Sequence, residues 1–199
     1  MRRLLVLVAV LVMIVPGVAL AQTPTADEED GVFTTLRKEA GLDIRGEETV
    51  GYEQAGLDLG APLYFLFWAT EFEDEKDASE MMDLVRSDFI DTYIERFEPD
   101  FPEGIELVET SGVDLGDDDL TLSGSRTAEG FTAYDGVVFV RVGSVIVVAS
   151  GGALIGNMVT TLTPFIEQMV DAAKAGDDLL DIVPTLDNLP PGYVVSDQV

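Results

Sequence analysis

The chain has 199 residues, with 38 acidic side chains against 11 basic ones, a formal charge of −27, and neither histidine nor cysteine. Affinity for nucleic acid depends on cationic side chains displacing counterions from phosphates, so this balance excludes a nucleic-acid-binding class and opposes adsorption to an anionic bilayer. The missing residue types exclude histidine-dependent triads, thiol nucleophiles, disulfides, lipid attachment at a cysteine and the usual zinc or copper sites.

At the N-terminus Arg2 and Arg3 precede an apolar run over residues 4–15, Pro16 and Gly17 break it, and Ala19-Leu20-Ala21 offers the small residues a signal peptidase reads. The pattern predicts a signal peptide over residues 1–21, cut after Ala21, and hence a secreted or extracytoplasmic protein. The alternative is a retained N-terminal anchor, because the 18 residues 4–21 are interrupted only by Pro16 and Gly17. Cleavage removes Arg2 and Arg3, which takes the formal charge from −27 to −29. Such a surface repels itself and suits high salt or abundant divalent cations.

Residues 22–30 (QTPTADEED) are polar, acidic and without pattern, which predicts a flexible leader. A single domain is expected over 31–176. It opens with a short helical turn within 31–40, apolar on one side through Val32, Phe33 and Leu36, and an edge strand over 49–54. Residues 63–72 (LYFLFWATEF) are apolar at adjacent positions, as in an interior strand buried on both faces. The clearest helix runs over 77–98, where Ala78, Met81, Met82, Val85, Phe89, Tyr93 and Phe97 recur at steps of three and four. Asp77 is its expected cap, with Glu80 in the capping-box position, and Pro99 ends it.

Strands are expected near 105–109, over 120–126, over 131–142 and over 145–149. Gly143-Ser144 supplies a two-residue hairpin turn, and Asp135-Gly136 reads as a second turn or a bulge. Arg141 is expected close to the turn, where its head reaches water. A second helical stripe comprises Ile155, Met158, Val159, Leu162, Ile166, Met169, Val170 and Ala173; Pro164 either kinks this helix or sits in its first turn after Thr163, and Gly176 closes it. Residues 177–199 carry three prolines and are expected as an extended tail, partly docked through Leu179, Leu180, Ile182, Leu186 or Tyr193.

This order of elements predicts an α+β domain: an antiparallel sheet of about five to six strands with two main helices packed on one face. The central strands are apolar on both faces, so the other face needs cover as well. The N-terminal segment with the tail, a second subunit in a homodimer through the sheet face, or an apolar ligand cavity would supply it.

Candidate sites are few. Carboxylates are all that calcium requires, and Asp117, Asp119 and Asp114 are the candidate ligands in the acidic run. The EF-hand pattern fails there, since counting from Asp117 puts Thr121 at position five and Leu122 at position six. In an extended chain Asp117 and Asp119 share a side while Asp118 points away, and the simpler reading is a solvated loop entering a strand. Met81, Met82, Phe89, Phe165 and Met169 are soft or aromatic side chains that would line an apolar pocket, and would equally serve as core. No G-x-S-x-G, S-x-x-K or Walker pattern occurs, and Gly151-Gly152 is followed by no phosphate-binding lysine. Carboxylate pairs alone carry no weight for a hydrolase among 38 acids.

The stretches FEDEKDASEMMDLV (72–85), GDDDLTLSG (116–124) and GVVFVRVGSVIVVASG (136–151) resemble a group of exported bacterial α+β domains of unknown role. Their layout is similar to that of PknH-type extracytoplasmic sensor-like domains and PsbP-like domains, over residues 63–175. The chain departs from the PknH type in lacking every cysteine, so neither the disulfides nor the cleft of that type carries over. The resemblance implies a binding or sensing module and transfers no site residue. The expected function is therefore an exported acidic binding domain, non-enzymatic and without cofactor, whose partner is a protein. The alternative is a carrier of a small apolar ligand between sheet and helices, and a carboxylate-dependent hydrolase ranks third.

Overall fold

The computed structural model describes residues 26–196 apart from 57, 102 and 129, with side chains from residue 31 onward. The expected signal peptide or anchor over 1–21 and the start of the expected leader lie outside the described residues. In chain order the elements are α1 (Ala26–Ala40), β1 (Ile44–Gln54), β2 (Tyr64–Phe72), α2 (Glu75–Phe97), β3 (Gly104–Glu109), β4 (Asp118–Ala128), β5 (Phe131–Val142), β6 (Val145–Ala153), α3 (Met158–Ala175), a four-residue α4 (Leu179–Ile182), a 3-10 turn (Leu186–Asn188) and β7 (Tyr193–Val195). The strands form one sheet, ordered β3-β4-β5-β6-β2-β1-β7, in which every neighbouring pair is antiparallel. The α+β class with an antiparallel sheet therefore holds, with seven strands where five to six are expected.

The placement of the helices corrects the sequence reading, because the two main helices take opposite faces. On β2, Leu66 and Trp68 join Met81, Met82, Val85 and Phe89 of α2 and Val32, Phe33 and Leu36 of α1 on the first face. The alternate residues Phe65, Phe67 and Ala69 join Leu162, Ile166, Met169 and Val170 of α3 on the second. Alternation along a strand sends successive side chains to opposite faces, so the unbroken apolar run of β2 needs exactly such a double cover. The cover comes from this chain's own ends. Helix α1 closes the first face beside α2, while Ile182, Val183, Leu189 and Tyr193 of the C-terminal segment close the second beside α3. Helix α1 begins at Ala26, within the stretch read as a leader.

Helix α2 buries Ala78, Met81, Met82, Val85, Phe89, Tyr93 and Phe97, the whole expected stripe. It begins two residues before Asp77, because Asp74 is the cap and its side chain accepts from the Asp77 backbone N–H. Helix α3 runs unbroken from Met158 with Pro164 inside it. Asn157 caps its start, and Gly176, at φ 79°, ends it with an N–H donated to the Ala172 and Ala173 carbonyls. Ile155 falls outside the helix and is 67% exposed, contrary to its place in the expected stripe.

The hairpin at Gly143-Ser144 joins Val142 to Val145 as expected, with Gly143 at φ 59°. Asp135-Gly136 is neither a turn nor a bulge, since β5 runs through both in continuous register with β4 and β6. Strand β1 is longer than expected and lies inside the sheet, between β2 and β7. The tail is folded onto the domain. The Tyr52 hydroxyl donates to the Pro184 carbonyl at 2.7 Å, the Tyr193 hydroxyl donates to the Pro62 carbonyl at 2.6 Å, and β7 pairs with β1. Leu180 and Leu186, two of the expected docking residues, remain exposed. Among the described residues no helix is long and apolar enough to cross a membrane.

Candidate binding surface

The acidic run is divided among three structural tasks. Asp117 lies just before β4, and its carboxylate accepts from the Gly143 N–H at 2.7 Å, with Arg141 Nη1 at 3.7 Å. Asp118, on the first face, accepts from Arg86 of α2 at 2.9 Å. Asp119, on the second face, accepts from the Val113 N–H at 2.9 Å and so ties down the connection that leads into β4. Asp114 holds a left-handed backbone, φ 55°, which a short polar side chain tolerates. Of the three calcium candidates, Asp117 and Asp119 are each committed to a backbone N–H of a different segment. Among the described residues no group of three or more carboxylates is placed to hold a metal ion.

Asp117→Asn combined with Asp119→Asn is expected to cost about 1–2 kcal/mol, since two charge-assisted bonds become neutral ones. The loss should be the same with calcium or with a chelator. A calcium-dependent rise in melting temperature that the wild type shows and the double variant lacks would instead make this turn a metal site.

The candidate pocket residues do not converge either. Met81, Met82 and Phe89 are fully buried on the first face, Met169 is fully buried on the second, and Phe165 packs beside it against Phe65 and Phe67. The sheet stands between the two groups, so no single cavity is lined by all five.

One polar cluster escaped the sequence reading. Arg126 of β4, Asp135 of β5 and Tyr64 of β2 meet on the first face, at the end of the sheet away from the 143–144 hairpin. Arg126 Nε and Nη2 donate to the two Asp135 carboxylate oxygens at 2.7 and 3.0 Å, and the Tyr64 hydroxyl donates to Asp135 Oδ1 at 3.3 Å. The guanidinium also lies over the Phe101 ring at 5.0 Å and the Tyr64 ring at 5.9 Å. Gly152 makes room for the group, because a Cβ there would stand 2.5 Å from the Tyr64 ring and 2.9 Å from Asp135 Oδ1.

Burial is the largest influence on the Asp135 carboxyl and lifts its pKa above the ordinary value; the Arg126 charge and the bonds from Arg126 and Tyr64 oppose it without cancelling it. For Arg126 burial is again the largest influence and works against the charge, but Asp135, Tyr64 and Tyr93 outweigh it and keep the guanidinium protonated. Bidentate geometry and nearly complete enclosure make this a closed structural pair. It offers no open position to a substrate.

What the fold leaves open is the outer end of the second face. The connection 110–117 crosses that face and lays Val113 and Leu115 against the core, and α3 begins farther along. Met158 of α3 sits over Gly136 and Gly151, where a Cβ at Gly136 would lie 2.8 Å from Met158 Cβ. Beyond these covers the ladder sets Val108 beside Ser123 in one row, and Glu106, Ser125, Tyr134 and Ala153 side by side in the next. Thr127 and Thr132 form a third row, with their hydroxyls 3.0 Å apart. Val108 is 45% exposed and Tyr134 44%. The result is a ledge of hydroxyls with an aliphatic and an aromatic side chain and the exposed Glu106, bordered by the free edge of β3.

Compared with models of protein families and with curated proteins, the chain matches none.

Proposed function

We propose that this chain is an exported, acidic, non-enzymatic binding domain that docks a partner protein on the ledge formed by Val108, Ser123, Ser125, Thr127, Thr132 and Tyr134. The observation that carries the reading is the contrast between this ledge and the rest of the sheet. Both faces of the central strands are filled by the chain's own helices and tail. The ledge keeps a half-exposed tyrosine and valine among short polar side chains, a pairing of aromatic contact area with adaptable hydrogen bonding that antibody paratopes also use. Export rests on the signal-like N-terminus, and the resemblance to sensor-like exported domains points the same way. The absence of histidine and cysteine from the sequence supports binding over catalysis.

A photo-activated cross-linker placed at Tyr134, and separately at the exposed Leu180, tests this in the mature chain exposed to the extracytoplasmic fraction of its own cells. Discrete protein adducts are expected from position 134 and none from 180. Adducts of equal pattern from both sites, or none from 134, would remove the proposal. Native mass spectrometry of the same preparation reports the carrier alternative, which requires a co-purified small apolar molecule.

A further inference from the structure

We propose that the partner supplies an extended, basic segment that pairs with the free edge of β3 as an eighth strand. This rests on the reading of the ledge as a protein-docking surface, and it names how the partner is held. The Thr110 N–H donates to the Thr121 carbonyl directly opposite, at 2.9 Å. In an antiparallel ladder hydrogen-bonded and non-bonded pairs alternate, so from Glu106 to Thr110 the even-numbered residues point their N–H and C=O at β4, while the Gly104 N–H closes the preceding turn on the Phe101 carbonyl. The backbone groups of Ile105, Leu107 and Glu109 consequently face outward, and no strand among the described residues pairs on that side. Three donors and three acceptors are thereby set in line, the geometry that strand addition uses.

The other edge differs. Strand β7 has three residues and follows Pro190-Pro191-Gly192, whereas β3 has six without proline. The β3 edge is backed by a fixed ladder, because Gly124 lets the two strands close up and a Cβ there would collide with the Glu106 carbonyl.

Charge selects the occupant. Glu106 and Glu109 are both exposed along this edge, with Val108 exposed between them, while Glu103, just before β3, turns away to accept from the Gly130 N–H at 2.8 Å. A second copy of the chain would bring glutamates against glutamates on a protein of net charge −27, and like charges across strands are destabilising. Edge charges of one sign are a known guard against self-pairing. A segment with lysine or arginine alternating with branched apolar residues meets the opposite condition. Alternation puts its cations on one face and its apolar residues on the other, so it would place cations beside Glu106 on the second face, toward the ledge, and branched apolar side chains beside Ile105 and Leu107 on the first.

The test uses a short peptide of alternating lysine and valine, titrated by fluorescence anisotropy into the mature chain near physiological salt. Controls are the same peptide N-methylated at alternate residues and a peptide of alternating glutamate and valine. The unmodified basic peptide is expected to bind, and hydrogen exchange at the Ile105 and Leu107 amides should slow on binding. The N-methylated form, and the Glu109→Pro variant with the unmodified peptide, should each bind at least about tenfold more weakly, as expected for one or two lost backbone hydrogen bonds. Proline at 109 removes an outward N–H and no bond to β4. Glu106→Lys with Glu109→Lys should reverse the preference toward the glutamate peptide. Equal binding of the N-methylated peptide would reduce the effect to charge alone, and no binding, or no change in Glu109→Pro, would overturn strand addition. If Tyr134 still cross-links a partner in that case, docking at the ledge stands without β3; if it does not, both fail.

Discussion

Arg126→Met is expected to lower the unfolding free energy by about 3–5 kcal/mol, the usual cost of stranding one member of a buried ion pair. The mechanism is specific, because Asp135 is enclosed and its two oxygens accept chiefly from the guanidinium that the substitution removes. Arg126→Met with Asp135→Leu should recover part of the loss, since neither charge then remains buried. The single variant should also acquire a pH dependence. Burial already lifts the Asp135 pKa in the folded protein, and losing Arg126 removes the main opposing influence. A carboxyl whose folded pKa exceeds its unfolded value stabilises the native state fully below the unfolded pKa, and that contribution is lost as pH rises through the folded pKa. The deficit of Arg126→Met relative to wild type should therefore shrink as pH falls from neutrality toward the ordinary carboxylate range. Urea titrations at several pH values measure both effects. A deficit below about 1 kcal/mol, the worth of an exposed pair, would show that water reaches the site.

That pair marks the limit of what local pattern reveals. The stripe of α2 is legible because a single helix face determines all seven buried positions, and their spacing is written along the chain. Arg126 and Asp135 become partners only through the register of β4 with β5, which sets Gly124 opposite Asp135 and Ala133 opposite Arg126. Without that register Asp135-Gly136 carries the composition of a turn. In the fold the aspartate is neutralised from the next strand, and the glycine admits Met158 from the second face. The apolar run of β2 likewise tells that both faces are buried without telling which helix takes which. The connections decide this: α2, between β2 and β3, lies on the first face, and α3, after β6, on the second. The ledge has no sequence signature at all, because Ser123, Ser125 and Thr127 differ from an ordinary solvated strand only in what the 110–117 connection and α3 leave uncovered.

Phe139→Ala is expected to cost about 3–5 kcal/mol, and it tests whether the N-terminal helix belongs to the cooperative fold. Phe139 stands at the centre of the first face. Its ring is edge-on to Phe89 of α2 at 5.0 Å and to Trp68 of β2 at 6.2 Å, and it stacks on Phe33 of α1 at 6.4 Å. Removing the ring leaves a cavity walled by three elements, and the cost grows with whatever volume they fail to reclaim. Phe33 touches Trp68 as well, also at 6.4 Å. If α1 is as firmly seated as α2, Phe33→Ala should cost a similar amount and unfold in the same single transition. Trp68 is the only tryptophan and is fully buried beneath Phe33, so its emission reports α1 directly. A Phe33→Ala variant whose emission shifts toward the red in buffer, while its far-ultraviolet transition in urea stays at the wild-type midpoint, would show that α1 lifts from the sheet independently. Coincident transitions, displaced together in both variants, would make α1 the integral cover that the apolar first face requires.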